Sequence, residues 1–321
     1  MDHDGFWRLI DESGTHYRQR AIRLKWLELH LAELPPAEIV DFHILLDTCR
    51  ERVDNQAMWG AAHQICDGIG GDSFWYFQAW LFSLGRTAFE HAAASPDNLA
   101  DLDAVRRLAG SAPAEWGDEQ WPEWEGLNYV ARYAFDEATD APRDGEAIEE
   151  QLQARGHASP SDPAEPTEQW WDLDDPAEAL RRYPKLAAIF PRNGNYQLLV
   201  PEEERYPAVA EPAWHAYNSD GSSWMDPQRE VLAVFLDDLR QAGDWLVLNR
   251  IGGTAGYAQV ELAAGGLFVS LHQADQPTVT GHCDSGRTAL AVLTAWAAGA
   301  TGWPAGVTWQ SADQNAQVGP H

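Results

Sequence analysis

Apolar residues recur along the first part of the chain with helical spacing. Leu24, Leu27, Leu31 and Leu34 follow one another at intervals of 3, 4 and 3, and Ile22, Trp26 and Leu29 widen the stripe into a face fit for burial. Pro35 and Pro36 then suit a helix start, and Ile39, Phe42, Leu46, Cys49 and Val53 repeat at 3, 4, 3 and 4. A short opening helix carrying Phe6, Trp7 and Ile10 is expected to cross this pair. The third long stripe is Phe74, Phe77, Leu81, Leu84 and Ala88, with Trp75, Tyr76, Trp80, Phe82 and Phe89 spread over the remaining surface. A helix aromatic on nearly every side is either central in a bundle or half in an interface.

The period changes from 3.6 to 2 in the second half of the chain. "DWLVLNRIG", "GYAQVELA" and "GLFVSLHQ" alternate apolar with polar residues between glycine turns, and "TVTGHC" offers a fourth strand. This predicts an antiparallel meander of three or four strands. Before it, Asp226 and Pro227 open the helix "PQREVLAVFLDDLRQAG", with Val231, Val234, Phe235 and Leu239 inward and Gly243 as its stop. After it, "GRTALAVLTAWAAGATGW" reads as an apolar helix laid on the sheet. Upstream, "DPAEALRRYPKLAAIF" predicts a helix interrupted at Pro184, and "NYQLLV" a short strand. The fold class is therefore α+β overall, an all-α N-terminal domain followed by an α+β module.

The two halves are separated by a change of texture. Residues 96–182 hold 22 acids against 7 bases and are studded with proline. "APRDGEAIEEQLQARGHASPSDPAEPTEQ" reads as an exposed acidic linker with one short helix at Gly145 to Arg155. The expected organisation is a helical domain over 1–140, a linker over 141–169, the module over 170–310 and a frayed tail over 311–321.

Net charge adds the clearest exclusion. The chain of 321 residues carries 50 acids and 22 bases, a net charge of −28. Such a field repels nucleic acid and anionic lipid and draws basic partners. No stretch approaches the ~20 continuous apolar residues of a spanning helix, and "MDHDGFWRLIDE" has neither the basic nor the apolar segment of a secretory signal. A cytoplasmic protein is expected. Its three cysteines, Cys49, Cys66 and Cys283, form no CxxC pair and read as reduced, buried thiols.

The motifs that imitate chemistry are few. "DGIGGD" from Asp67 lacks the alternating oxygens and terminal Glu of a calcium loop, and reads as a corner between helices, its glycines ending one and Asp72 or Ser73 capping the next. "GHCDSGRT" from Gly281 has phosphate-loop spacing, but Arg287 stands where lysine belongs and too little chain follows to build a parallel sheet; Ser285 or Asp284 is expected to cap the last helix instead. His282, Cys283 and Asp284 are adjacent and cannot all face one ion without an unusual turn. His215 and His272 are scattered, GxSxG with its partners is absent, and "PEEERY" from Pro201 reads as a solvated turn. Trp116, Trp121 and Trp124 are expected to tack their acidic loop onto the helices.

Several segments carry a resemblance: "DGFWRLID", "WGAAHQI" from Trp59, "GDSFWYFQAWLFSLGRTAFE" from Gly71, "PDNLADL" from Pro96 and "EGLNYVARYAFDEATD" from Glu125. In this order they resemble the bacterial family catalogued as domain of unknown function 4240, over about residues 1–140. The resemblance implies a small helical domain without an assigned activity. The second module resembles, in outline, the folds of secretion chaperones with their peptide-binding relatives and of toxin-immunity proteins.

The function expected is that of a non-enzymatic interaction or regulatory protein, immunity-like or chaperone-like, that binds a basic protein or peptide without a cofactor or metal. Candidate interface residues are Trp75, Tyr76, Trp80 and Phe82 in the first domain, and Trp245, Tyr257 and Phe268 on the sheet. The alternative is an enzyme with a site between the domains, for example a hydrolase using carboxylates or Cys/His, for which "DGIGGD", His215 and "GHCD" are the places to look.

Overall fold

The computed structural model describes residues 1–16, 19–157, 171–191, 213–251, 256–272, 277–300 and 304–309. "NYQLLV", "PEEERY" and the tail lie outside the described residues. The chain divides into two compact units, Met1–Pro207 and Ala208–His321. Among the described residues, no helix is long and apolar enough to cross a membrane.

The first unit is a helical bundle. Its elements are α1 (His3–His16), α2 (Arg20–Ala32), α3 (Pro36–Val53), α4 (Gln56–Cys66), α5 (Gly71–Ser83), α6 (Arg86–Ala94), α7 (Asp103–Leu108), α8 (Val130–Thr139), α9 (Glu146–Ala154), α10 (Pro176–Arg182) and α11 (Pro184–Ile189). Short 3-10 turns at Pro96–Asp101 and Glu125–Asn128 join them. The stripe on α3 is wholly inside: Ile39, Phe42, Leu46, Cys49 and Val53 are each at most 1% exposed. Phe6, Trp7 and Ile10 of α1 pack into the same core, Phe6 on Phe42 at 5.0 Å between ring centres.

The glycine corner between α4 and α5 is a turn, as its composition suggests. Asp67 (φ 54°) and Gly68 (φ 120°) both take the left-handed backbone that ends α4, and the amides of Asp67 and Gly68 donate to the carbonyl of His63. The expected capping by Asp72 or Ser73 does not occur. Gly70 is the N-cap residue and no side chain caps the helix, because the two polar residues already lie within its first turn.

Two segments depart from the expected organisation. The chain read as a linker supplies α9, whose Ile148 and Leu152 are fully buried in the bundle core. The chain read as the start of the second module supplies α10 and α11; α11 docks on α4 and on the Pro96–Asp101 turn, and α10 packs on α11. Tyr183, Leu186 and Phe190 join the helical core. The Tyr183 hydroxyl donates to the Ala57 carbonyl at 2.8 Å, the Gln64 amide to the Phe190 carbonyl at 2.7 Å, and Asp97 accepts the Lys185 and Leu186 amides at 3.0 Å each. Gly60 makes that approach possible, since a Cβ there would lie 2.4 Å from the Tyr183 hydroxyl.

Among the described residues, the second unit holds a sheet of seven antiparallel strands rather than three or four. They are β1 (Trp214–Asn218), β2 (Ser223–Met225), β3 (Trp245–Arg250), β4 (Tyr257–Ala263), β5 (Gly266–His272), β6 (Val279–Cys283) and β7 (Val307–Trp309), in the spatial order β2-β1-β3-β4-β5-β6-β7. Two helices, α12 (Arg229–Asp237) and α13 (Gly286–Ala297), pack on each other, α12 also on β1 and α13 on β4 to β6. Ser285 caps α13 by accepting the Thr288 amide at 3.2 Å. The residues under these helices form one buried layer, with Ala216, Leu248, Ala258 and Leu271 in one cross-strand row and Asn218, Leu246, Val260, Val269 and Gly281 in the next.

Candidate interaction surfaces

The last turn of α5 is buried all round, which decides half of the candidates on it. Phe82 is 0% exposed and packs on Phe89 at 5.6 Å; Trp80 is 8% exposed and lies against Phe77 at 5.3 Å. Both are core residues with no face left for a partner, contrary to their reading as interface. Trp75 and Tyr76, one turn earlier, are half-buried and do reach the surface.

There they meet two residues that sequence reasoning passed over. Trp75 lies 5.8 Å from Tyr76 and 5.9 Å from Tyr129, and Tyr129 lies 6.5 Å from Tyr133, so four half-buried rings form one strip across α5 and α8. The signal was present in "NYVARY", where two tyrosines four apart share a helix face. Exposed carboxylates border the strip. Tyr76 donates its hydroxyl to Glu125 Oε1 at 3.1 Å, and partial burial together with that carboxylate pushes the Tyr76 phenol up to about 12. Burial and then Glu125 raise the Tyr129 phenol, and Asp72 acts in the same direction on both rings.

The strip is braced from beneath by Arg50, 3% exposed. Its guanidinium lies 4.9 Å from the centre of the Trp75 ring and 5.6 Å from that of Phe82. It donates to the Trp75 carbonyl at 3.2 Å, Gln78 Oε1 at 3.0 Å and Asn128 Oδ1 at 2.6 Å. Burial lowers its pKa to about 10, so it stays charged at neutral pH. The loop from residue 115 to 125 is held close by Trp116 and Trp124, both buried, and by the Trp124 amide, which donates to the Tyr76 carbonyl at 3.0 Å.

Trp245, Tyr257 and Phe268 share the sheet face opposite α12 and α13. Trp245 stands across from Glu261, Glu261 from Phe268, and Phe268 from His282. Tyr257 is flanked by Asn249 and by His272, on whose ring it stacks at 4.1 Å. Tyr217 extends the ring set, 5.7 Å from Trp245 and 5.0 Å from His215. The imidazoles here are engaged locally, His272 Nδ1 with the Thr278 hydroxyl and His282 Nε2 with the Gly265 carbonyl, each at 2.9 Å.

Within the sheet unit, the residues of "GHCD" do not converge on one site. His282 and Cys283, adjacent on β6, point to opposite faces of the sheet. Cys283 is 2% exposed under the helices, and burial pushes its thiol up to about 11. Asp284 accepts from the Ser285 and Thr288 hydroxyls at the start of α13. Cys66 is buried and its thiol is likewise pushed up, away from nucleophilic range. Among the described residues, no group of three or more His, Cys, Asp or Glu could hold a metal ion.

One buried cluster gathers two imidazoles around a carboxylate. Asp47, 5% exposed on α3, accepts from His157 Nε2 at 2.8 Å and lies 3.6 Å from His43 Nε2. Burial pulls the His43 pKa below its ordinary value, against the opposing pull of Asp47. A folded-state histidine pKa below the unfolded value of about 6.5 leaves stability complete above that pH. Stability is then lost as pH falls from there toward the folded pKa. Urea midpoints of the helical transition are expected to decline from pH 7.5 to 5.5, and His43→Gln is expected to flatten that decline; an equally steep decline in the variant would assign the response to other groups.

No curated protein and no solved structure matches this chain. The strip of Trp75, Tyr76, Tyr129 and Tyr133, with Asp72 and Glu125, falls entirely within residues 1–137, which match the family model described as Protein of unknown function (DUF4240).

Proposed function

We propose that this protein binds a basic polypeptide, with the Trp75–Tyr76–Tyr129–Tyr133 strip as its contact face. The observation that carries this reading is the pairing of half-buried rings with exposed carboxylates. The rings offer flat apolar area at low entropic cost, while Asp72 and Glu125 add local negative potential to a chain of net charge −28. Electrostatic steering of this kind speeds encounter with a basic partner and weakens with salt.

The test keeps charge constant and removes rings. The full chain and a Tyr76→Leu/Tyr129→Leu double variant are used as baits over lysate of the native organism, at low and high salt. A basic protein held stoichiometrically by the wild type, released by salt and lost from the variant is the expected result. Equal retention by the variant, or no stoichiometric partner for the wild type, would refute the reading.

A further inference from the structure

The helical unit shows repeatedly how it seats a guanidinium. Arg143 lies 4.6 Å from the centre of the Tyr133 ring and pairs with Glu28 at 3.0 Å. Arg182 lies 3.6 Å from the centre of the Trp171 ring and donates to Glu178 at 2.7 Å. Arg52 lies 5.0 Å from that of Phe89 and grips Glu90 with two bonds of 2.8 and 2.6 Å. Each is the same arrangement: one aromatic face, one carboxylate, one arginine.

Tyr76, Tyr129 and Glu125 repeat the first two parts of that arrangement. Among the described residues, no guanidinium lies over Tyr76 or Tyr129. Glu125 Oε1 accepts the Tyr76 hydroxyl, while its Oε2 accepts from none of the described residues, and Asp72 is exposed beside the same two rings. The two other rings of the strip are already served, Trp75 by Arg50 from beneath and Tyr133 by Arg143.

Resting on the basic-polypeptide reading, we infer that the partner is anchored by an arginine whose guanidinium stacks on Tyr76 and Tyr129 and pairs with Glu125. Lysine is the poorer fit. Its compact ammonium is strongly hydrated and cannot stack, whereas a planar guanidinium is more weakly hydrated and meets ring and carboxylate together.

The experiment uses the full chain and three blocked, labelled glycine-repeat peptides of equal length that carry arginine, lysine or citrulline, with affinity read from fluorescence anisotropy. The arginine peptide is expected to bind roughly tenfold more tightly than the lysine peptide, and the uncharged citrulline peptide more weakly than either. Glu125→Gln and Tyr129→Leu are each expected to erase the arginine preference. Tyr129→Phe, which keeps the ring, and Tyr257→Leu on the sheet are expected to preserve it, and circular dichroism melts check that every variant is folded. Equal affinity for the arginine and lysine peptides that drops in Tyr129→Leu would overturn arginine selection and leave the basic-polypeptide reading standing. An arginine preference that survives both variants would overturn the site. Absence of binding by any peptide would overturn the inference together with the reading beneath it.

Discussion

Phe82→Ala is expected to destabilise the helical unit by about 3–5 kcal/mol, the range for emptying a fully buried phenylalanine site. The ring is 0% exposed between Phe89 and the Arg50 guanidinium, in a helix end enclosed on all sides, so the surroundings have little freedom to collapse into the space. Tyr76→Leu, six positions earlier in sequence on a half-exposed ring, is expected to cost no more than about 1 kcal/mol. Urea unfolding followed at 222 nm and by hydrogen exchange of α3 and α5 separates the two. A loss below about 1 kcal/mol for Phe82→Ala would return this residue to the list of surface candidates.

Arg50→Ala is expected to be comparably severe, about 3 kcal/mol or more, for a different reason. The guanidinium is the donor for the part-buried Trp75 carbonyl and for the buried Gln78 Oε1 and Asn128 Oδ1, and its removal leaves these acceptors without that partner and opens a void under Trp75. Arg50→Lys is expected to recover little, because one ammonium on a flexible stem cannot reproduce a planar fork that serves three acceptors and two ring faces. The measurement is the urea midpoint of each variant, alongside the near-ultraviolet circular dichroism of the Trp75 environment. A near-neutral Arg50→Ala would mean that water replaces the guanidinium at no cost.

The parts of this fold that were legible in sequence are those where a single local period is enough. The α3 stripe and strands β3 to β6 were found because each element repeats its own inward residues over many positions. β1 was missed because the residues it turns under the helices include Ala216 and Asn218, which leave no apolar alternation in "WHAYN". β7 was missed because three residues carry no period. The α9 to α11 segment was misplaced because an acidic, proline-rich composition hid Ile148, Leu152, Tyr183, Leu186 and Phe190, a few apolar residues whose burial depends on distant partners such as Ala57 and Gln64.

The candidate surfaces divide in the same way. Helical spacing put Phe74 and Phe77 inside, but it has no means of showing that a helix end is enclosed on every side, which is what removes Trp80 and Phe82 from the surface. Strand alternation and the register of the meander place Trp245, Tyr257 and Phe268 on one face. Tyr129 and Tyr133 could have been named from their spacing. Their relation to Trp75, Glu125 and the arginine over Tyr133 comes only from the packing of α5 on the Glu125–Asn128 turn and of α2 on α8.

The three thiols turn the protein into its own stopwatch. Cys49 and Cys66 lie in the helical unit and Cys283 in the sheet unit, each at most 4% exposed. Burial pushes Cys49 up to about 12 and Cys283 to about 11, and raises Cys66 as well, so that at neutral pH a closed unit presents neither access nor thiolate to an alkylating reagent. Modification of any one of them therefore counts the openings of the unit that contains it. Mass spectrometry of the labelled peptides reads two separate clocks from one sample, and a ligand that steadies only the helical unit would slow the first two while leaving the third to run.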